Sequence, residues 1–207
     1  MQVPGDPKTL PTPLLVAAAE TLRHLGPRRF SLTAVAETAG VSRGTVHNTL
    51  GTRDAAISAA LDHLSAAFIE SLTAEINQQT TLADQVAAAA VLISAHRRKK
   101  ASTPRGINQG VLILLLEHGN EALIRRSVQL WKPLVRAAKH RGEVAAGTDA
   151  GRASEWIMRM LFSFELLPPI HVDLDSPRAV RRFVGDHIVA GLNGASHPTQ
   201  QVKEISA

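Results

Sequence analysis

Residues 40–51 read GVSRGTVHNTLG, and as a helix this stretch is poorly made. Gly44 interrupts it, and Thr45, Asn48 and Thr49 are weak helix formers. A glycine inside a helix costs about 1 kcal/mol relative to alanine, while Thr and Asn lose to side-chain entropy and competing hydrogen bonds. Ser42 can nevertheless cap a helix Arg43 to Leu50, with Val46 and Leu50 inward and Gly51-Thr52 as its stop. Just upstream, Ser31 can cap a short helix, Leu32 to Ala39, with Val35, Ala36 and Ala39 inward. Gly40 suits the left-handed turn between the two. Two short helices joined by a tight glycine turn, the second small and polar on its outer face, match a helix-turn-helix. A helix that enters a major groove needs short, varied hydrogen-bonding side chains on that face. Its stability then comes from Val46 and Leu50 packing on Val35, Ala36 and Ala39, so propensity can be sacrificed.

Outward from that stretch, FSLTAVAETAGVSRGTVHNTLGTRDAAISAAL runs from Phe30 to Leu61 and follows an amphipathic helix, Pro13 to Leu25, that ends at Gly26. This run resembles the DNA-binding domain of the TetR family of transcriptional regulators. The likeness covers roughly the first quarter of the chain and rests on AxxAGVSxGTV followed by a short gap and a basic residue. It implies a dimer whose two recognition helices occupy successive major grooves, with a variable ligand-binding body. The family usually has Tyr at His47, Phe at Leu50 and Lys at Arg53, and the Glu that often completes a capping box with Ser31 is Ala34 here. His47 can still donate to a phosphate, Leu50 keeps the core role with less volume, and Arg53 keeps a cation at the positive start of the next helix.

Role by role, Arg43, Thr45 and Asn48 are assigned to base edges or nearby phosphates, Arg43 suiting a guanine and Asn48 an adenine. Ser31, Thr33, Ser42, His47, Thr52 and Arg53 would hold phosphates and set the register, and Gly44 permits close approach to the DNA backbone. Each has a plainer reading as a cap or a solvated surface residue.

Composition agrees with a folded helical protein. The chain has 207 residues, 44% hydrophobic and 20% charged, and has no Cys and no Tyr, which excludes disulfides and thiolate chemistry. MQVPGDPKTL at the start has no apolar run, and the longest apolar stretch, Val111 to Leu116, is far too short to span a bilayer, so no signal peptide or membrane span is expected and the expected location is the cytoplasm. The net charge of +5 is uneven. Met1 to Arg53 carries a net +3, and Arg97 to Arg105 carries Arg97, Arg98, Lys99, Lys100 and Arg105 with no acid. If the fifth helix returns antiparallel to the fourth, Arg97 to Lys100 lie back beside the DNA-binding unit. The rival reading is a solvated helix end whose cations favour the C-terminal dipole.

The remainder reads as helix throughout. Thr12 and Pro13 open the first helix, with Leu14, Leu15, Ala18, Leu22 and Leu25 on one face. Thr52 caps a long fourth helix running to about Asn77, and segments follow at Leu82–Lys100, Pro104–His118, Glu121–Arg141, Asp149–Leu167 and Ser176–Leu192. No stretch alternates with period two. The expected architecture is all-α: a flexible arm over 1–10, a three-helix DNA-binding domain over 11–52, a larger helical effector-binding and dimerisation domain over 53–192, and a flexible tail over 193–207.

For the body, the expected ligand is a small, largely apolar effector. Leu112, Trp131, Trp156 and Met160 are candidates to line its site, and His96, Asn108 and Gln109 are the candidate polar handles. Ile157, Met160, Leu161, Phe164, Val180, Phe183, Val184 and Ile188 recur at three- and four-residue spacings and are candidates for a homodimer interface, although they could pack only within the chain. An enzyme is the first rival. A di-metal bundle needs Glu-x-x-His pairs, whereas Glu117-His118 and Asp186-His187 are adjacent and their side chains diverge. No nucleophile elbow or phosphate loop is present, so no metal and no cofactor is expected. The second rival, a membrane-surface protein using the RRKK run, lacks an extended apolar face beside it. The expected function is a repressor released from an inverted-repeat operator by its effector.

Overall fold

The computed structural model describes residues 11–101, 111–118 and 122–193. Asn108, Gln109, the arm 1–10 and the tail from 194 lie outside the described residues, as do the side chains of His96 and of Arg97 to Lys100. Nine α-helices are described: α1 (Thr12–Arg29), α2 (Leu32–Ala39), α3 (Arg43–Leu50), α4 (Arg53–Ile76), α5 (Leu82–Ala101), α6 (Val111–His118), α7 (Ala122–His140), α8 (Ala150–Leu166) and α9 (Pro177–Phe183). The described residues contain no strand.

The local signals set the first four helices. Pro13 sits in the first turn of α1, where its missing N–H costs nothing. Gly26, at φ 70° and ψ 169°, breaks α1 before a last short turn through Arg29. The Phe30 N–H closes that turn on the Gly26 carbonyl at 3.0 Å. Ser31, Ser42 and Thr52 cap α2, α3 and α4 by accepting from the N–H groups of Ala34, Thr45 and Ala55.

Ser176 to Leu192 departs from the single helix expected. After α9 the chain widens into a π-helical stretch, Val184–Val189, then a 3-10 turn, Ala190–Asn193. Val184, Ile188 and Val189 are all buried. Four- and five-residue spacing on one inward face fits the wider turn better than an α-helical one. Gly185 inside it lowers the cost of leaving α geometry.

α1 packs along α4 and on α2, α2 on α3, and α3 on α4. In the body α7 runs along α8, and α5 lies between α4 on one side and α8 and α9 on the other. α4 touches both groups, and the buried apolar residues form one cluster from Leu14 to Val189. Two polar contacts fix the helices lengthwise. Glu143, just after α7, accepts from the Leu82 N–H at the start of α5 (2.7 Å), and Arg126 of α7 donates to the carbonyl and carboxylate of Asp62 on α4 (3.2 and 3.4 Å).

Candidate nucleic-acid interface

The turn between α2 and α3 is made by Gly40 in the left-handed region at φ 66°, with the Val41 N–H returning to the Ala36 carbonyl at 3.0 Å. Val46 and Leu50 are fully inside, packed with Val35 and Ala36. Ser42, Arg43, Gly44, Thr45, His47 and Asn48 are all exposed. A helix poor in propensity is therefore held by two apolar anchors, while its outer face is polar. Ser42 Oγ, besides capping, bonds Thr45 Oγ1 at 2.9 Å, and Thr49 Oγ1 donates to the Thr45 carbonyl at 2.8 Å. These contacts order the first turn of α3 and the positions of Arg43 and Thr45 on it. Thr33 is exposed near the start of α2, and Ser31 is half-buried at its cap. Thr38 Oγ1 joins α2 to Thr21 of α1 at 3.0 Å.

Arg53 does something that local reading missed. Its Nε donates to the Phe30 carbonyl at 3.0 Å, one terminal nitrogen donates to the Pro27 carbonyl, and the other meets Asp54 Oδ1 at 3.3 Å. Three of the five guanidinium N–H groups are thus used inside the chain. Gly26 breaks α1 and leaves the carbonyls beyond it without helical partners. The kink is legible in Gly26-Pro27, but the identity of the donor, 23 residues away from Phe30, is not. Arg28 and Arg29, given no role from sequence, are exposed in the turn that Arg53 ties down.

In the body, Leu112 and Trp131 are buried in the core and Met160 is partly buried against it. Trp156 is placed elsewhere. Its ring is 40% exposed on the outer side of α8, lies over Gly191, and its Nε1 donates to the Ile188 carbonyl at 3.2 Å. It clasps the end of the chain instead of lining a buried site.

The apolar spacing on α8 and α9 serves packing inside one chain. Ile157, Leu161, Phe164, Val180, Val184 and Ile188 are buried, and Phe183 meets Phe164 edge-on with centroids 6.0 Å apart. What these segments turn outward is Arg152, Glu155, Trp156, Arg159, Arg181, Arg182 and His187. Among the described residues no group of three His, Cys, Asp or Glu is placed to hold a metal, and no helix is long and apolar enough to cross a membrane.

No family model matches the chain, and no curated protein matches it. Solved structures do. A cysteine mutant of the TetR family transcriptional regulator CifR, complexed with 26-bp double-strand operator DNA, aligns at TM-score 0.59 and 16% identity over 91% of this chain and 100% of that one. The transcriptional regulator FadR from Bacillus subtilis, in complex with stearoyl-CoA, aligns at TM-score 0.56 and 14% identity over 89% and 98%. The superantigen PfiT aligns at TM-score 0.62 and 15% identity over 92% and 100%. The fold is therefore that of TetR-type all-helical regulators across nearly the whole chain, and at these identities the likeness is one of fold.

Proposed function

We propose that the chain is a DNA-binding transcriptional regulator, a repressor that pairs as a homodimer on an inverted-repeat operator and leaves it when a small, largely apolar effector binds the body. The observation that carries this reading is α3: two buried anchors, a left-handed glycine turn before it, and six consecutive exposed or groove-sized positions from Ser42 to Asn48 broken only by Val46. Such a face reads base edges and has no use in a purely structural helix. The operator DNA in the CifR structure and the stearoyl-CoA in the FadR structure support the same pairing of DNA and apolar ligand on this fold. A chain that binds chromosomal DNA works in the cytoplasm, and α1 to α3 with the start of α4 are the unit that would touch it.

The two-fold partner would meet the outward surface of α8 and α9, around Trp156, Arg159, Met160 and Phe183, because the inward apolar residues are already used. To release DNA, the effector must bind the DNA-free arrangement more tightly than the DNA-bound one.

Footprinting on the DNA upstream of the chain's own gene tests the reading. Two protected half-sites related by a dyad are expected, centred about one helical turn or a multiple of it apart. Arg43→Ala should weaken that site by about 1–3 kcal/mol and relax preference at one base pair per half-site. Protection without two-fold symmetry, or unchanged specificity in the variant, overturns it.

A further inference from the structure

Three serines in the middle of the body are buried with nothing to bond to. Ser65 on α4, Ser94 on α5 and Ser127 on α7 are 2%, 1% and 2% exposed, and none of their hydroxyls has a hydrogen-bond partner. This is not the habit of hydroxyls in these helices. Ser71, Thr73 and Ser154 each donate to the carbonyl four residues earlier, the usual refuge of a helical hydroxyl. A buried hydroxyl left unpaired is costly, and native proteins keep few.

The three stand at one depth. Ser65 lies eleven residues before the end of α4 at Ile76, Ser94 twelve after the start of α5 at Leu82, and Ser127 thirteen before the end of α7 at His140. Those helix ends meet at one end of the bundle, where Glu143 bonds the Leu82 N–H. At 1.5 Å per residue each hydroxyl is about 17–20 Å from that end. The Arg126–Asp62 contact confirms the level directly, since it joins the neighbour of Ser127 to a residue one turn from Ser65.

One turn away along these helices are Leu61 and Phe68, Ala90, Leu123 and Trp131, all buried and apolar. No Lys or Arg is buried among the described residues of α4, α5 and α7, and Arg126 is spent on Asp62. A buried anion would find no counter-charge there, so the matching polar group is neutral.

We propose that Ser65, Ser94 and Ser127 form the polar end of a ligand site between α4, α5 and α7, which takes a molecule with an apolar body and one uncharged hydrogen-bonding group, an amide, hydroxyl or ketone. The proposal rests on the effector reading above and gives it a chemical class and three residues.

Decanamide and decanoate, matched in chain and differing in head-group charge, are suitable probes, with binding followed by Trp131 fluorescence in a Trp156→Phe background and by thermal midpoint. Decanamide is expected to bind more tightly than decanoate. Each of Ser65→Ala, Ser94→Ala and Ser127→Ala should weaken decanamide about fivefold, the size of one net hydrogen bond, and should raise the midpoint of the ligand-free protein, because each removes an unpaired hydroxyl. Failure of decanamide to bind, tighter binding of decanoate, unchanged affinity in the triple variant, or a lowered ligand-free midpoint in each single variant would each overturn the site. These measurements use no DNA. If decanamide binds through the serines and operator affinity does not change, the site stands and the repressor-release reading falls.

Discussion

Single side chains in this chain carry more than their sequence context announces. Arg53 stands where a phosphate-facing cation is expected, but its fork is committed to the Phe30 and Pro27 carbonyls. Arg53→Gln should lower stability by about 1–2 kcal/mol by freeing two main-chain acceptors, and Arg53→Lys should recover only part, since an ammonium cannot span both. Urea unfolding measures this. A residue that only touched phosphate would leave unfolding unchanged and reduce the salt slope of DNA binding instead. Glu143 has a pH signature. The hydrogen bond from Arg141 holds its carboxyl below the usual value of 4.5, with burial opposing and the Leu82 N–H assisting. A folded pKa below the unfolded one means stability that is present above the ordinary carboxylate range and lost as pH falls through the lowered value. The stability gap between the wild type and Glu143→Gln should be constant from neutral pH down to about pH 5 and close on further acidification. A gap that widened in acid would contradict the assignment.

At the scale of elements, two glycines a few residues apart should respond in opposite ways. Gly40 is left-handed at φ 66° with open space where a Cβ would go, so Gly40→Ala is penalised by backbone conformation alone, about 1 kcal/mol. Gly44 is helical, with only Ser42 Oγ near a built Cβ at 3.6 Å. Gly44→Ala should therefore stabilise α3 by up to about 1 kcal/mol and still weaken DNA binding, if the missing side chain is there to admit the DNA backbone. Thermal midpoints and gel-shift titrations of both variants separate the two effects, and a Gly44→Ala protein that binds DNA as well as the wild type removes Gly44 from the interface. The boundaries of α1 to α4 were legible because their determinants are local: a proline at the start, Ser31, Ser42 and Thr52 as caps, and glycines at the stops. The π-helical end of α9, the clasp of Trp156 on Ile188 and the convergence of three serines were not. Each depends on partners 32 to 64 residues apart, or on packing that has no signature in a window of sequence. The apolar period on α8 and α9 was legible as a period. It could not say whether the face it made met the same chain or another copy.

Across the whole molecule, charge, fold and the exposed face of α3 point the same way, and a sequence with a net +5 suits a polyanionic partner. The arrangement of α4 has a further consequence. This helix of 24 residues, with no Gly or Pro inside it, covers α1 and α3 at one end and α5 and α7 farther along, and the apolar interior passes through it without a break. The DNA-reading unit therefore owns no interior of its own, and its three helices are finished by a helix that belongs equally to the body. A peptide of residues 11–52 should give a disordered circular dichroism spectrum, whereas the full chain should melt in one calorimetric peak with equal van't Hoff and calorimetric enthalpies. Two resolved peaks would show independent parts. With a single cooperative unit, a ligand that tightens the body would also protect the amide hydrogens of α2 and α3 from exchange with solvent, at a distance and without touching them.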